Sequence, residues 1–151
     1  MKVYIASDHA GYEYKGEIIK FLEEGGYEVI DCGNEKYDSN DDYPDFIIPL
    51  AEKVSKAVDS FGIALGRSGN GEAIAANKVE GVRAAMGFSP QMTKKAREDN
   101  DANILCLGAD YVDLQTACKA VEIFLKTPFS GIDRHARRIK KIKDYETSKD
   151  R

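Results

Sequence analysis

The sequence has no long apolar run, no cysteine cluster and no surplus of positive charge. No stretch of its 151 residues reaches the roughly 18 apolar residues of a membrane span, and the segment MKVYIASDH lacks the order of a signal peptide. Its three cysteines form no CxxC motif and no cluster with histidine, so neither a disulfide framework nor a zinc site is indicated. We therefore expect a cytoplasmic protein with reduced thiols, no bound metal and no membrane partner.

The net charge and the organisation of the chain further limit the kinds of protein that this sequence can encode. The formal net charge of −4 argues against a general nucleic-acid surface, which needs a basic field, although RHARRIKKIK at 134–143 concentrates positive charge locally. The chain has no internal repeat, low-complexity tract or linker, only the polar loop NEKYDSNDD at 34–42. We therefore expect residues 1–151 to form one domain, for which this length is common.

Apolar β-prone runs alternate with segments of helical spacing along the chain. The five candidate strands are KVYIAS (2–7), YEVIDCG (27–33), FGIALG (61–66), VRAAMGF (82–88) and NILCLG (103–108). Helical patterns separate them and continue after the fifth strand. Because parallel neighbours need crossover connections, this alternation predicts an α/β fold with helices on both faces. We expect a Rossmann-like three-layer αβα sandwich with a five-stranded, mostly parallel sheet and an extended C-terminal helix.

Ligands of an open parallel sheet bind at the carboxyl ends of its strands, so the polar residues there are the site candidates. The loop GRSGNGE at 66–72 follows the third strand, and its glycines permit close backbone approach, so successive N–H groups can cradle an anion. It lacks the GxxxxGK[ST] spacing of a phosphate P-loop. Its last residue, Glu72, is either a functional carboxylate beside that cradle or a solvated first-turn residue, and local sequence favours neither.

The segment SDHAG after the first strand places an aspartate and a histidine at the same edge of the sheet. Asp8 and His9 can bind a ligand there. The plain structural alternative is a helix N-cap by Asp8 beside a partly exposed histidine.

The C-terminal helix carries a pair of arginines. Arg134 and Arg138 are four residues apart and share a helix face, with His135 beside them, and guanidinium groups suit a phosphate dianion. The alternative is a solvated basic face. A narrow apolar stripe on the same helix, which can dock on a neighbour such as a second subunit, consists of Ile139, Ile142 and Tyr145.

The combination of these features points to a polyol phosphate as substrate. Its phosphate group is one anion, and a second, transient anion forms at the reacting carbons. A proton shuttle between two adjacent carbons needs one base of suitable pKa, and the resulting enediolate needs aimed N–H donors. Glu72 beside the glycine loop supplies both parts.

One known family carries the same motifs in the same order. In ASDHAGYEYK, DYPDF, SGNGEAIAANKVEGVRAA, NDANIL and RHARRI the chain resembles the ribose-5-phosphate isomerase B family, which includes galactose-6-phosphate isomerase subunits. The resemblance covers nearly the whole chain and implies the Rossmann-like fold and the interconversion of an aldose phosphate and a ketose phosphate through an enediolate. It also implies no metal or nucleotide cofactor, and a homodimer or tetramer whose active sites combine residues from two subunits.

The resemblance further implies roles for individual residues. Many members use a cysteine base where this chain has Gly66, whereas members with SGNGE use the glutamate, so Glu72 is the expected proton acceptor. The implied enediolate loop is Arg67, Ser68, Gly69, Asn70 and Gly71, with Ser68 also near the reacting carbons. The implied ligands of the sugar hydroxyls and the phosphate are Asp8, His9, Tyr43, Asn100, Arg134, His135 and Arg138.

Three residues depart from the family pattern. Asp99 stands where a ring-opening histidine is usual, Asp110 where a phosphate-binding arginine is usual, and Arg67 at a position that is commonly glycine. Two unit charges about 4 Å apart at an effective dielectric near 20 interact by roughly 4 kcal/mol, so an aspartate beside a phosphate dianion weakens binding. Asp110 therefore points away, or Arg67 restores the lost charge, or the substrate differs. Asp99 could itself be the ring-opening acid if a like charge or burial raises its pKa.

These observations lead to one expected function and two rivals. We expect an aldose–ketose isomerase for ribose 5-phosphate and ribulose 5-phosphate, an intramolecular oxidoreductase with Glu72, Asp99 and Ser68 in catalysis. The first rival is the same chemistry on a tetrose, tetrulose or hexose 6-phosphate; the four-carbon sugars need no ring opening. The second is a non-catalytic sugar-phosphate binder, which the loss of the histidine allows and the retention of Glu72 argues against.

Overall fold

The computed structural model describes residues 1–148, and in that part of the chain five strands and six α-helices alternate until the last two helices. The strands are β1 (Lys2–Ser7), β2 (Glu28–Asp31), β3 (Ser60–Gly66), β4 (Ala84–Met86) and β5 (Ile104–Gly108). The helices are α1 (Tyr12–Glu24), α2 (Pro44–Lys56), α3 (Asn70–Ala76), α4 (Pro90–Asn100), α5 (Leu114–Lys126) and α6 (Asp133–Thr147). The predicted elements are all present, although β2 and β4 are shorter than the apolar runs that indicated them.

Local chemistry explains where several helices begin. The Ser89 side chain accepts a hydrogen bond from the Met92 N–H at 3.2 Å, and Pro90 occupies the first turn of α4, where its missing N–H costs nothing. Asp113 caps α5 in the same way through the Thr116 N–H at 2.9 Å. Polar residues before the apolar periodic segments therefore fix the lengths of the loops that follow the strands.

The sheet is parallel throughout, which confirms and sharpens the predicted fold. The strand order is β2-β1-β3-β5-β4, and each neighbouring pair is parallel. From β1 the chain crosses to β2 on one side, and from β3 it crosses to the other side. The loops after β1 and β3 therefore diverge and leave a crevice at the carboxyl edge, where ligands of such sheets bind.

Two apolar layers hold the helices on the sheet. Alternate side chains such as Ile5 and Leu65 pack under α1, α4 and α5, together with the buried Phe124. The intervening Ala6 and Ala64 face α2 and α3. Each fully buried Leu, Ile or Phe contributes about 1.5–3 kcal/mol, so these layers fix the strand ends rigidly.

Helix α6 runs from α4 to the loop before β4. Near its start the His135 imidazole lies beside Asp99, and near its end Glu146 accepts a hydrogen bond from the Gly81 N–H at 2.9 Å. Ile139 and Ile142 of the predicted stripe face Val82 of the same chain. Tyr145 is 67% exposed, so docking of the stripe on a second subunit stays a prediction.

Candidate active site

The glycine loop after β3 turns sharply into α3. Gly69 has φ +82°, a conformation that favours glycine, and a Cβ there would lie 2.8 Å from Met86 Cε. The Ser68 hydroxyl accepts a hydrogen bond from the Asn70 N–H at 3.3 Å, which closes the turn. The loop therefore brings Glu72 back over the end of β3.

Glu72 is buried, and its carboxyl lies against Gly66 at the end of β3. Only 3% of the residue is exposed, so the alternative of a solvated first-turn carboxylate is wrong. Burial raises the pKa of Glu72, and the Asp8 charge raises it further, while the N–H groups of Glu72 and Gly69 offset part of the rise. A carboxylate whose charged form is disfavoured by desolvation is a stronger base than a solvated one, as proton abstraction from carbon requires.

Asp8 comes to the same crevice from the loop after β1. Its carboxylate accepts hydrogen bonds from the N–H groups of Ala10 at 2.9 Å and Gly11 at 3.3 Å. It thus caps a short 3₁₀ turn, His9–Gly11, which confirms the N-cap interpretation. The turn packs against the end of β3, since a Cβ on Gly11 would lie 2.7 Å from Leu65 Cβ. The loops after β1 and β3 thus lie side by side, and the Asp8 charge contributes to the raised pKa of Glu72.

His9 is held by an aspartate that is distant in sequence. His9 Nδ1 lies 2.6 Å from Asp41 Oδ1, and the His9 backbone N–H donates to the same oxygen at 3.0 Å. The hydrogen bond with Asp41 raises the pKa of His9 above its ordinary value; the charges of Asp8 and Asp41 add to this, and burial and Arg67 oppose it. His9 lines a cleft of about 330 Å³ together with Tyr37 and Arg67.

Two of the departures from the family pattern are partners. Arg67 Nη1 lies 3.1 Å from Asp110 Oδ2, and the two side chains are 67% and 49% exposed. Both line the His9 cleft. Asp110 is therefore turned toward Arg67 at the rim of the cleft, and whether Arg67 supplies the charge of the arginine that the resemblance implies at position 110 stays a prediction.

Tyr43, the residue before α2, packs against the glycine loop. A Cβ on Gly71 would lie 2.7 Å from Tyr43 Cζ, so the phenol ring rests directly on the loop backbone. The absence of a side chain at position 71 is what admits the ring. Tyr43 therefore joins the group formed by Asp8, His9 and Glu72, which we call the crevice group.

The remaining predicted residues form a second group at the end of α4 and the start of α6. Asp99 Oδ1 lies 3.5 Å from His135 Nε2 and 4.0 Å from Lys95 Nζ. These two neighbours are basic residues, and the Asp99 side chain is 35% exposed, so neither the like charge nor the burial that the ring-opening hypothesis needs is found in this subunit. The members of this helix group are Asp99, Asn100, Arg134, His135 and Arg138.

The two groups are not joined by any hydrogen bond or ion pair within residues 1–148. Arg134 and Arg138 are exposed on α6, so a solvated basic face describes them within one subunit. Asn100 lines a cleft of about 470 Å³ with Met86 and Met92. Met86 also touches Gly69, so this cleft adjoins the glycine loop across the edge of the sheet.

Sequence reasoning missed Asp41, Asn34 and Lys15, which support His9. Asn34 donates to Asp41 at 2.8 Å, and Lys15 donates to the Asn34 carbonyl at 2.8 Å. Asn34 and Asp41 lie in the polar loop that follows β2. Ligands of a parallel sheet bind at the carboxyl ends of its strands, and β2 neighbours β1, so this loop was also a site candidate. Its many acidic and amide side chains could have indicated these residues from the sequence.

Asp8, His9 and Asp41 also offer ligand atoms within 4.8 Å of one another, a spacing at which a metal ion can be held. Oδ1 of Asp8 already accepts two backbone hydrogen bonds, and the oxygens of Asp41 accept from His9 and Asn34. Oδ1 of Asp8, both oxygens of Asp41 and Nδ1 of His9 are therefore already engaged within the protein. The absence of a metal stays a prediction.

The thiols are separate from this chemistry. Cys32, Cys106 and Cys118 are free, and burial raises the pKa of Cys106 strongly, so it stays protonated beneath the site. Among residues 1–148 no helix is both long enough and apolar enough to cross a membrane.

Comparison with known proteins identifies this arrangement. The family described as Ribose/Galactose Isomerase matches residues 3–142. The chain belongs to the ribose/galactose isomerase family. This membership confirms the resemblance seen in the sequence motifs, since the match covers most of the chain, including the crevice group and the helix group.

Relatives of this ribose/galactose isomerase support the assignment at high coverage. Ribose-5-phosphate isomerase B from Mycolicibacterium paratuberculosis is 47% identical over 146 residues, which cover 97% of this chain and 92% of the relative. The crystal structure of ribose-5-phosphate isomerase B from Mycoplasma genitalium with bound ribulose 5-phosphate is 43% identical with a TM-score of 0.92, covering 96% of this chain and 95% of that chain. Ribose-5-phosphate isomerase B from Clostridium thermocellum is 48% identical with a TM-score of 0.91, covering 97% of each chain.

Proposed function

We propose that this protein is an aldose–ketose isomerase that interconverts ribose 5-phosphate and ribulose 5-phosphate through an enediolate. The observation that carries the proposal is the buried Glu72 carboxyl at the end of the glycine loop, where only 3% of the residue is exposed. A protein that merely binds a sugar phosphate gains nothing from a desolvated carboxylate beside an anion site. The names of its relatives in the family give the substrate.

Glu72 is the proposed base that carries a proton between C1 and C2. In the forward direction it takes the C2 proton of the open-chain aldose, and the pair of electrons left behind forms the enediolate. Glu72 is then neutral, so the new negative charge on the substrate meets no carboxylate charge. Glu72 returns its proton to C1 while the proton of the O2 hydroxyl passes to O1, which leaves the C2 carbonyl and the C1 hydroxyl of the ketose. The backbone N–H groups of the loop at 67–71, with the Ser68 hydroxyl, stabilise the intermediate.

Asp8, His9 and Tyr43 are the proposed contacts of the sugar and phosphate on the same subunit. His9 and Arg67 share the cleft beside the crevice and present positive charge to it, which suits a phosphate dianion. Asp110 reduces that charge by pairing with Arg67. We therefore expect this site to attract a phosphate less strongly than a site whose arginine has no acidic partner.

The helix group is proposed to complete the site from a second subunit of a cytoplasmic homodimer or tetramer. Asn100 lies at the end of α4, which packs beside the edge strand β4 and against the α6 helix of Arg134 and Arg138. Two apolar residues are exposed at this edge, Phe88 after β4 at 42% and Met92 on α4 at 49%. An exposed edge with apolar side chains is typical of a protein interface. A second copy packed here brings polar groups to a cleft that adjoins the glycine loop.

A four-carbon ketose phosphate is the second candidate substrate. The histidine that the resemblance implies for ring opening is replaced by Asp99, which lies near Lys95 and His135. A tetrulose phosphate lacks the free hydroxyl that closes a ring, so its isomerisation needs no such group. The same base and the same enediolate loop serve either substrate.

The decisive experiment follows isotope exchange in deuterated water. Purified protein is incubated with C4, C5 and C6 aldose and ketose phosphates, and the wild type is compared with Glu72→Gln. Glu80→Gln is the matched control, since it makes the same chemical change at an exposed glutamate eight residues away. We expect Glu72→Gln to lose about 10²–10⁴-fold in kcat, the usual contribution of a general base, and the control to match the wild type. Activity unaffected by Glu72→Gln would refute the proposed base, and no exchange with any sugar would favour a binder.

A further inference from the structure

The side chain of Asp41 is almost wholly buried although the residue lies in a polar surface loop. Its side chain is 6% exposed, and both of its oxygens are used. Oδ1 accepts from the His9 backbone N–H at 3.0 Å and lies 2.6 Å from His9 Nδ1, while Oδ2 accepts from Asn34 Nδ2 at 2.8 Å. The carboxylate is therefore fixed on both sides, and one of those sides is a residue of the crevice group.

The support for Asp41 extends into the interior. Lys15 donates to the Asn34 carbonyl at 2.8 Å and pairs with Asp31 at 2.9 Å, and its side chain is only 4% exposed. Lys15 therefore links Asn34 to helix α1 and to Asp31 at the end of β2. A buried lysine, an amide and a carboxylate thus form one connected chain of hydrogen bonds that ends on His9.

This chain determines how the His9 ring is used. An ionised carboxylate only accepts hydrogen bonds, so Nδ1 carries a proton, and Nε2 is the ring nitrogen left for a ligand. If Nε2 is also protonated, it donates to an anion; if it is not, it presents a lone pair that a phosphate oxygen repels. The charge state of His9 therefore decides whether it attracts or rejects a phosphate.

We propose that Asp41, held by Asn34, is a positioning residue that fixes the orientation and the cationic state in which His9 binds the substrate phosphate. The proposal deepens the proposed function and rests on it for the identity of the ligand. Asp41 does not contact the substrate and acts only through His9. Its loop separates it from His9 by 32 positions in sequence, so nothing in the motif SDHAG reveals it.

Other charges near His9 set the pH range of the effect. Asp8 and Asp41 raise the pKa of His9, Arg67 and burial lower it, and the hydrogen bond with Asp41 is the largest influence. Glu13 and Asp110 line the same cleft, and the Tyr37 ring meets the imidazole edge-on at 6.3 Å between centroids. Because the folded pKa lies above the ordinary value, the wild type keeps His9 cationic to a higher pH than a variant that lacks the Asp41 charge.

Nuclear magnetic resonance tests the coupling directly, because the chain has only two histidines. The Hε1 resonances of His9 and His135 are titrated in the wild type, in Asp41→Asn and in the control Asp42→Asn. The amide introduced by Asp41→Asn keeps a hydrogen-bond acceptor without the charge, and the control removes the same charge at the next residue, whose side chain is exposed. We expect the midpoint of His9 to fall in Asp41→Asn alone and that of His135 to stay unchanged in all three proteins.

Substrate binding supplies the second measurement. The dissociation constant of ribose 5-phosphate is followed at the His9 resonance between pH 6 and 8, in a Glu72→Gln background that prevents turnover. The titration of the phosphate itself cancels in the ratio of Asp41→Asn to its parent. We expect that ratio to be near one at pH 6 and to reach about tenfold at pH 8, the scale of one charge-assisted hydrogen bond.

Two results would overturn the proposal. A His9 midpoint in Asp41→Asn equal to that in Asp42→Asn would show that Asp41 does not set the charge. A lowered midpoint with an affinity ratio that stays constant with pH would show that Asp41 has a structural role only. Failure of the proposed isomerase activity is a different outcome, because it is read from isotope exchange and not from the His9 resonance.

Discussion

Glu72 and Gly66 share one small volume at the end of β3. A Cβ built on Gly66 overlaps the Glu72 carboxyl, so position 66 has no room for a side chain while Glu72 is in place. The resemblance implies a cysteine base at position 66 in many relatives and a glutamate base in those with SGNGE. The contact gives the physical reason for that exchange, because the two groups exclude one another.

Gly66→Ala is therefore expected to displace the Glu72 carboxyl and to lower kcat by about 10²-fold or more while the fold is kept. Gly16→Ala is the control, since a Cβ at that helical site meets nothing within 4 Å. The control should keep full activity and gain roughly 0.5–1 kcal/mol of stability from helix propensity. Steady-state kinetics measures kcat and thermal unfolding measures stability in the two variants. A wild-type kcat in Gly66→Ala would contradict the steric exclusion between a side chain at position 66 and the Glu72 carboxyl.

Glu72→Gln is expected to stabilise the fold at neutral pH. Because burial raises the folded pKa of Glu72 above its unfolded value, the favourable contribution of the neutral acid is present at low pH and is lost as pH rises through the folded pKa. The gain in Tm from Glu72→Gln should thus be near zero at pH 4 and largest at pH 8. A gain of about 2–4 °C corresponds to each kcal/mol for a chain of this size. Calorimetry of Glu72→Gln and of the control Glu80→Gln at several pH values measures this gain. A gain in Tm that does not change with pH would contradict the raised pKa of a buried carboxyl.

Arg67 and Asp110 are expected to change substrate affinity in opposite directions. Arg67→Ala should raise KM for a sugar phosphate, since it removes a cation from the cleft, and Asp110→Asn should lower KM, since it removes an opposing charge. Neither should change the free energy of unfolding by more than about 1 kcal/mol, because the pair is exposed. Kinetics at two salt concentrations is the measurement, with Lys56→Ala as a distant charge control; an unchanged KM in Arg67→Ala would rule out compensation for the missing arginine.

Asp99→His tests whether ring opening limits turnover. It restores the group that the resemblance implies, and we expect kcat with ribose 5-phosphate to rise by up to about 10²-fold, the lower end of the usual contribution of an acid–base group. A tetrulose phosphate needs no ring opening, so its kcat should stay unchanged. Asp99→Asn separates loss of the carboxylate from gain of the imidazole. Equal acceleration of both substrates would argue against a ring-opening role for position 99.

Mixing two inactive variants tests the sharing of sites between subunits. If Glu72 and Asn100 come from different subunits, a mixed dimer of Glu72→Gln and Asn100→Ala contains one intact site. Random reassociation into two-fold symmetric dimers then restores up to about a quarter of wild-type activity. Light scattering establishes that the variants are oligomers, and activity no greater than the sum of the separate variants would place each site within one subunit.

The sequence by itself determined the elements, their succession and the chemical types at the site. Hydrophobic period, caps and glycines act between near neighbours, so the alternation of strands and helices predicted the parallel sheet, and the motifs predicted Glu72, Asp8 and His9. Only the tertiary structure decided that Glu72 is buried against Gly66, that Arg67 pairs with Asp110, and that Asp41 holds His9. The latter two contacts join residues 43 and 32 positions apart. Such contacts depend on strand order and on where each loop lands, and no local pattern encodes the distance between two loops.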